Sequence, residues 1–305
     1  MEDYPKNLEE LETRFNTEQA CRDYLFSLRW PDGFHCPRCG HTKAWIMNNG
    51  LFRCASCEYK CSITAGTIFE GTRKSLILWF RAIWWITSQK NGASAKNVQR
   101  ILELGCYKTA WVWLHKLRRA MIRPGRDKLS GLVEVDETYI GGKKPGKRGR
   151  GAEGKTLVAI AVEDKGENEI GRIRLNIIPD ASSASLISFI QQCIEDRSTI
   201  RTDDWQGYKD LRFSGYSHKV VKSADLKIAH IVISLLKRWL LGTHQGAVSH
   251  EHLSYYLDEY TFRFNRRTSS HRGKLFYRLL QNAMEIERTK YKEMVKNVRK
   301  QNHNM

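Results

Sequence analysis

Proline is scarce in this 305-residue chain, with 6 in all, which excludes long proline-rich linkers. No run approaches the ~18 consecutive apolar residues that a membrane-spanning helix needs. The first fifteen residues, MEDYPKNLEELETRF, are acidic and hold no apolar segment of the secretory kind, so the expected compartment is the cytoplasm. No internal repeat is visible, and no repeat architecture is expected. Acidic residues are the minority: 33 Asp and Glu stand against 51 Lys and Arg, a net charge of +18. Such an excess repels itself unless a polyanion neutralises it, and nucleic acid is the expected partner. A ribosome-associated or acidic-membrane role is the blander alternative. Hydrophobic residues make up 41% and charged residues 28%, enough to build a core. At about 150 residues per domain, the length suggests two or three domains.

The positive charge is unevenly spread. From Arg263 to Met305 there are twelve Lys and Arg against three Glu. Between Lys143 and Lys155 there are six Lys and Arg and one Glu, set among glycines. This second stretch reads as a mobile basic loop that tracks phosphates, with an ordinary solvated loop as the alternative.

Four of the eight cysteines make one pattern. Cys36 and Cys39 form CPRC, Cys54 and Cys57 form CASC, and fourteen residues separate the pairs. Each CxxC knuckle aims two sulfurs at one tetrahedral ion, and two knuckles complete a Cys₄ site. Between them, TKAWIMNNGLFRC reads as a hairpin around the turn pair Asn49-Gly50. Spacing and hairpin together predict a zinc ribbon with structural Zn²⁺. Without an export signal, a disulfide framework is not expected. Cys61 competes with Cys57 as a ligand, but Cys57 fits the spacing better. Cys21, Cys106 and Cys193 read as packing thiols.

Residues 1–30 read as helical, with Thr17 as an N-cap. After the ribbon, LILWFRAIWWITSQK places Trp79, Phe80, Trp84 and Trp85 along a helix, a stripe read as core. SAKNVQRILEL, capped by Ser94, and KTAWVWLHKLRRAMI then form a helix-turn-helix-like pair. The second helix carries Lys108, Lys116, Arg118 and Arg119, a basic face of the kind that enters a major groove. Any three-helix bundle with a basic face looks similar. From 131 the apolar period changes to two. GLVEVDETYIGG, KTLVAIAVE and GRIRLNIIP read as strands. SASLISFIQQCI reads as a helix capped by Ser182 or Ser183, and STIRTDDWQGY as a strand running into a turn. Helices follow over about 225–241 and 249–267. Three strands, helix, strand, helix is an RNase H-like layout. The expected class is therefore multi-domain α+β. The expected parts are helices with a zinc ribbon over 1–67, a helix-turn-helix-like region over 68–125, an RNase H-like α/β domain over 131–267 and a basic helical tail over 268–305.

Asp136 sits mid-strand among valines, where burial disfavours a lone carboxylate. Asp203 ends a strand just before a glycine-containing turn. In an RNase H-like sheet the first and fourth strands are neighbours, so the two acids converge. Carboxylates that close repel each other, and divalent cations relieve the repulsion. Two such cations support in-line displacement at phosphorus. Each acid alone also reads as an ordinary turn or edge carboxylate.

At this point the chain resembles the ISXO2-like family, the bacterial insertion-sequence DDE transposases with an N-terminal zinc ribbon. The likeness rests on the ribbon itself, CSITAGTIFEGTRKSLILWFRAIWW, KTAWVWLHKLRRAM, VEVDETYIGG, TDDWQGY, SLLKRWLLGTHQG and YLDEYTFRFNRR, in that order over about residues 20–280. It implies an RNase H-like core that uses two Mg²⁺ or Mn²⁺ ions to cut element ends and join them to target double-stranded DNA. Activated water cuts first, and the freed 3′-hydroxyl then attacks, with no covalent protein–DNA intermediate. Pairing two ends implies a homo-oligomer on the nucleoid. By the same resemblance, Asp136 matches the first family acid and Asp203 the second, with Asp204 as the fallback. Relatives place Glu or Asn seven residues before the Lys of SLLKR. Here that Lys is Lys237, and the third position is His230. Seven residues is nearly two helical turns, so His230 and Lys237 share a face, and Lys237 is suited to a phosphate near the metals.

Three readings of the third position stand. His230 acts as a weaker ligand, the favoured reading, and its nitrogen suits Mn²⁺ better than Mg²⁺. Alternatively Glu259 or Asp225 substitutes, or the copy is catalytically damaged. Arg263, Arg266 and Arg267 read either as phosphate contacts or as the basic end of a packed helix. Trp205 and Tyr208 read as packing before base stacking. The rival from another class is a zinc-ribbon DNA-binding regulator without catalysis, which does not need Asp136 close to Asp203. A nuclease that cuts without joining is a third.

Overall fold

The structure, a computed structural model, describes residues 2–123, 125–141, 155–166, 169–246 and 248–296. The glycine-rich basic stretch lies outside the described residues up to Lys155, as does the end of the basic tail from 297. The chain forms two compact units, Met1–Arg123 with Ser269–Asn297, and Pro124–Thr268.

In the first unit, α1 (Leu8–Arg14) starts after Asn7, whose Oδ1 accepts the Glu10 amide at 2.8 Å. α2 (Glu18–Arg29) starts after Thr17, whose hydroxyl accepts the Ala20 amide at 3.1 Å. Such oxygens satisfy amides that a helix start leaves without intrahelical partners. The strands β1 (Ala44–Ile46), β2 (Phe52–Cys54) and β3 (Lys60–Cys61) form an antiparallel ribbon, as the spacing predicts. Its hairpin turns at Gly50, whose φ of 73° lies in the left-handed region open to glycine at little cost. α3 (Leu76–Ser88) buries Trp79, Phe80 and Trp84. α4 (Ala95–Ile101) is capped by Ser94, and α5 (Tyr107–Ala120) follows. Trp79 stacks on Trp113 of α5 with ring centroids 3.8 Å apart. A fully buried Phe or comparable apolar side chain contributes about 1.5–3 kcal/mol, so this aromatic layer holds the unit together.

The second unit is built on one five-stranded sheet: β4 (Leu132–Ile140), β5 (Thr156–Asp164), β6 (Ile170–Ile177), β7 (Thr199–Thr202) and β8 (Ser217–Val220). The spatial order is β6-β5-β4-β7-β8. β4, β5 and β6 pair antiparallel, while β7 and β8 run parallel to β4. This is the RNase H-like strand order. α6 (Ser183–Cys193), capped by Ser182, covers one face through Leu186, Phe189 and Ile190. α7 (Lys227–His244) and α8 (Leu253–Phe264) cover the other through Val232, Leu236, Leu257 and Tyr260. The fifth strand was not legible in the sequence. β8 is four residues, SHKV, mostly exposed and without apolar alternation. The strand of 198–208 ends at Thr202, and the turn it runs into is a 3₁₀ helix at Gln206–Phe213.

The chain then returns to the first unit as α9 (Arg272–Glu285) and α10 (Tyr291–Lys296). Phe276, Leu279, Leu280 and Ala283 of α9 are fully buried, and Phe276 meets Phe15, Phe80 and Trp84. The basic C-terminal segment thus begins as a core helix. Among the described residues, no helix is long and apolar enough to cross a membrane.

Gly207 shows how tightly the turn after β7 is packed. A Cβ there would lie 2.5 Å from the Ala181 carbonyl oxygen and 2.8 Å from Leu186 Cδ1. Gly207→Ala is expected to destabilise the second unit by about 1–3 kcal/mol. A thermal or urea melt read on that unit checks this, and an unchanged midpoint contradicts the packing.

Candidate functional site

The ribbon brings four thiols together. Cys36 Sγ and Cys57 Sγ lie 3.6 Å apart, as do Cys39 Sγ and Cys54 Sγ, and all four sulfurs fall within 4.8 Å of one another. A tetrahedral ion with Zn–S bonds of about 2.3 Å requires sulfur separations of about 3.8 Å, so this donor set fits zinc. Cys61 lies outside the group and is buried, and that burial pushes its thiol up. Neighbouring Arg29 gives its guanidinium to the carbonyls of Ser62 and Ile63. Spacing had favoured Cys57 over Cys61, and the tertiary arrangement agrees.

The second site is built by the sheet. β4 pairs with β7 as Leu132↔Thr199, Val133↔Ile200 and Glu134↔Arg201. Continuing that parallel register brings Asp136 level with Asp203, just past the end of β7. Alternation along β4 then sorts the side chains. Asp136 stands opposite Ile160, on the face covered by α7. Glu137 stands opposite Ala159 on the other face, where its carboxylate accepts the Tyr208 hydroxyl at 2.7 Å. Tyr208 is buried, so it packs rather than presenting its ring to a ligand.

α7 supplies the third predicted residue. His230 Nε2 lies 3.3 Å from Asp136 Oδ2. Two turns further on, Lys237 is close enough to feel the Asp136 charge, and Lys155 is near it in turn. His230 and Lys237 therefore lie near Asp136 at the middle of β4, level with Asp203 just past the end of β7. These four are less tightly gathered than the cysteines, which alone among the described residues form a closed group of three or more ligand atoms. Asp203 Oδ1 accepts the Trp205 amide at 3.1 Å, a local turn that holds the carboxylate at the strand end. The Trp205 indole donates to the Ala181 carbonyl at 2.8 Å, which makes it a packing group. Glu259, one alternative third acid, is buried and bound by Arg263 Nε at 2.9 Å. Asp225, the other, is exposed in the short 3₁₀ turn Ser223–Asp225 ahead of α7. Asp204 is exposed as well.

The electrostatics favour a cation. Burial pushes the Asp136 carboxyl up to about 6, and the charges of Glu137 and Asp203 add to the effect, against the Glu137 amide and His230. An anion held at such cost gains most from a positive partner. Burial also lowers Lys237, with Asp136 acting to restore its charge. Beyond Asp203 the surface opens into a pocket of about 410 Å³, with Lys209, Arg212, His218 and Val220 on its walls. Sequence reading missed Lys209 and Arg212, since nothing in their spacing marks them; the fold of the turn after β7 brings them beside Asp203.

Residues 128–265 match the ISXO2-like transposase domain, and residues 16–60 match the transposase zinc-ribbon domain. The chain thus carries an ISXO2-like transposase domain preceded by a transposase zinc-ribbon domain. It is similar to an uncharacterised protein in transposable element ISH50 of Halobacterium salinarum, at 27% identity over 82% of this chain and 91% of that one. Among solved structures it is similar to the catalytic core domain of BIV integrase (19% identity, TM-score 0.30, 43% of this chain and 82% of that one). It is also similar to a chain of a simian T-cell lymphotropic virus intasome (13% identity, TM-score 0.29, 59% and 67%). Scores this low add nothing to the fold, which rests on the strand order.

The fold corrects one expectation about basic residues in this transposase and decides between the two readings of another. The helix pair α4–α5 is present, but most of α5 is enclosed. Arg118 is 2% exposed, and Lys116 donates to the Ile68 carbonyl at 2.7 Å. What faces outward is the first turn of α5, with Tyr107 and Lys108, and the Lys96–Arg100 side of α4. The arginines of YLDEYTFRFNRR are likewise engaged within the fold. Arg263 binds Glu259, Arg266 covers Phe262, and Arg267 donates to the carbonyls of Ile170, Gly171 and Phe264.

Cys54→Ser is expected to lose the ribbon's zinc, while Cys61→Ser keeps it at one ion per chain. Metal content of the purified variants, by atomic emission, checks this. Zinc loss in both would place Cys61 in the ligand set.

Proposed function

We propose that this transposase is a metal-dependent DNA strand-transferase of the DDE type, which binds the ends of an insertion sequence, cuts them and joins them to target DNA. The observation that carries the reading is the parallel pairing of β4 with β7, which sets Asp136 beside Asp203, together with the 3.3 Å approach of His230 Nε2 to Asp136. A regulator that only binds DNA has no need of this convergence. Asp136, Asp203 and His230 are the residues that would hold the divalent cations, and Asp203 keeps its orientation through the Trp205 amide. Two carboxylates and one imidazole suit cations that accept oxygen and nitrogen ligands, and the imidazole tilts the preference toward Mn²⁺. The chemistry such cations would supply is activation of the attacking oxygen and stabilisation of the leaving one in in-line displacement. Lys237 and Lys155 stand where a scissile phosphate needs positive charge. Lys209 and Arg212 receive the strand leading to it. Holding two element ends together requires at least two copies of the chain.

Asp136→Asn and Asp203→Asn are each expected to abolish cleavage and joining of labelled element ends while leaving end binding within about twofold of wild type, since phosphate contacts supply most of the affinity. In the same gel assay, Mn²⁺ supports more joining than Mg²⁺, and His230→Ala removes the difference. Near-normal joining by either Asp variant overturns the reading, and cutting without joining by the wild type makes the protein a nuclease.

Removing both pocket cations, Lys209→Ala with Arg212→Ala, is expected to lower the slope of log affinity against log salt by about 2 on element-end DNA. Fluorescence anisotropy over a salt series measures it. An unchanged slope takes these residues off the DNA path.

A further inference from the structure

We infer that Glu134, a buried carboxylate one pleat before Asp136, is the positioning residue that sets α7, and with it His230, against the acidic site. The inference rests on the metal reading of the site given above.

α7 begins without a capping group of its own. Its N-cap residue is Leu226, whose side chain has no oxygen to offer. A helix start leaves several amides without intrahelical partners, and burying them unpaired is costly. Glu134 meets that need from outside the helix. Its Oε2 accepts the amide of Ala229, the third residue of α7, at 2.9 Å. This is the amide that a Ser or Asp at the N-cap position, three residues earlier, would normally satisfy. A carboxylate at this place also complements the partial positive charge of the helix start.

The carboxylate is itself held firmly. Glu134 has no solvent exposure, and its Oε1 accepts from Arg201 Nη2 on β7. The same Nη2 reaches Asp164 Oδ2 on β5 at 3.0 Å. Glu134 thus joins the two strands that carry the catalytic acids to the helix that carries the third ligand. An Arg placed between two carboxylates compensates the buried charge, which a lone Glu could not sustain.

The spacing makes the cap specific to His230. Glu134 and Asp136 are two apart on a strand, so they point to the same face. Ala229 and His230 are consecutive at the start of α7. Glu134 with Ala229, and Asp136 with His230, are therefore adjacent rungs between one strand and one helix. A helix that slips by one residue turns its side chains by about 100°. Such a slip would carry His230 away from Asp136. Groups that orient a metal ligand without touching the metal commonly change affinity by about 10- to 100-fold when removed.

Full-length, zinc-loaded protein tests this in two arms. In the first, Mn²⁺ binding is followed by electron paramagnetic resonance. Glu134→Ala is expected to weaken binding roughly 10-fold. Glu134→Gln, which keeps an oxygen for the Ala229 amide, stays within about threefold of wild type, because only the charge and not the cap is lost. In a His230→Ala background, Glu134→Ala adds no further loss, as expected of a residue acting through His230. The second arm uses hydrogen exchange without added Mn²⁺. The first turn of α7 exchanges roughly five- to tenfold faster in Glu134→Ala, and the helix end near Leu240 is unchanged. Should Glu134→Ala fail to fold, Glu134→Asp replaces it, since it retains charge for Arg201 but is one methylene shorter toward Ala229. Equal loss of Mn²⁺ affinity in both backgrounds, or unaltered exchange at the first turn, overturns the positioning role. If wild type and Asp136→Asn bind Mn²⁺ alike, the metal reading of the site fails instead, and the exchange result alone upholds or overturns the cap.

Discussion

The parallel pairing of β4 with β7 is the constraint on which the site depends. Backbone hydrogen bonds fix that register, and a slip of one residue would turn every side chain on the strand to the opposite face. With the register set, Asp136 and Asp203 become neighbours although 67 positions separate them in the chain. The same register places Glu134 beside Arg201. One ladder thus assembles the acids and also the buried pair that anchors α7.

The charge pattern follows from this arrangement. The chain as a whole carries +18, yet its sheet brings several carboxylates together around the middle of β4. Burial makes those anions costly, and Asp136 shows it most clearly, raised to about 6 chiefly by desolvation. A positively charged protein around a costly negative centre suits a polyanion reacting at bound cations.

Much of this was legible before any coordinates. The CxxC pairs predicted the ribbon, since few uses of cysteine need two knuckles at that spacing. Period-two alternation located β4 and β6 and an apolar run located β5, and Thr17, Ser94 and Ser182 or Ser183 were legible as caps because short polar side chains before an apolar helical run have that physical use. Other features were not legible. β8 is too short and polar to show a period, and its existence depends on the edge that β7 offers. The basic face of α5 looked available because sequence spacing cannot reveal that a core surrounds a helix on several sides. Arg118 is buried there despite its charge. The arginines at the end of α8 read either as phosphate contacts or as the basic end of a packed helix, and only the fold decided, since the start of β6 takes Arg267.

The sequence by itself determined which groups were available: four thiols in two knuckles, one acid within an apolar strand and another at a strand end, and a histidine and a lysine on one helical face. Local rules suffice for these, because knuckles, strand alternation and helical faces span only a few residues. Only the tertiary structure decided which distant groups meet. It gathered the cysteines to the spacing of a tetrahedral ion, left Cys61 outside, and brought His230 to Asp136. It also gave α7 a cap from a strand 95 residues earlier in the chain. Long-range contacts of this kind come from strand pairing and helix packing, whose partners no short stretch of sequence specifies.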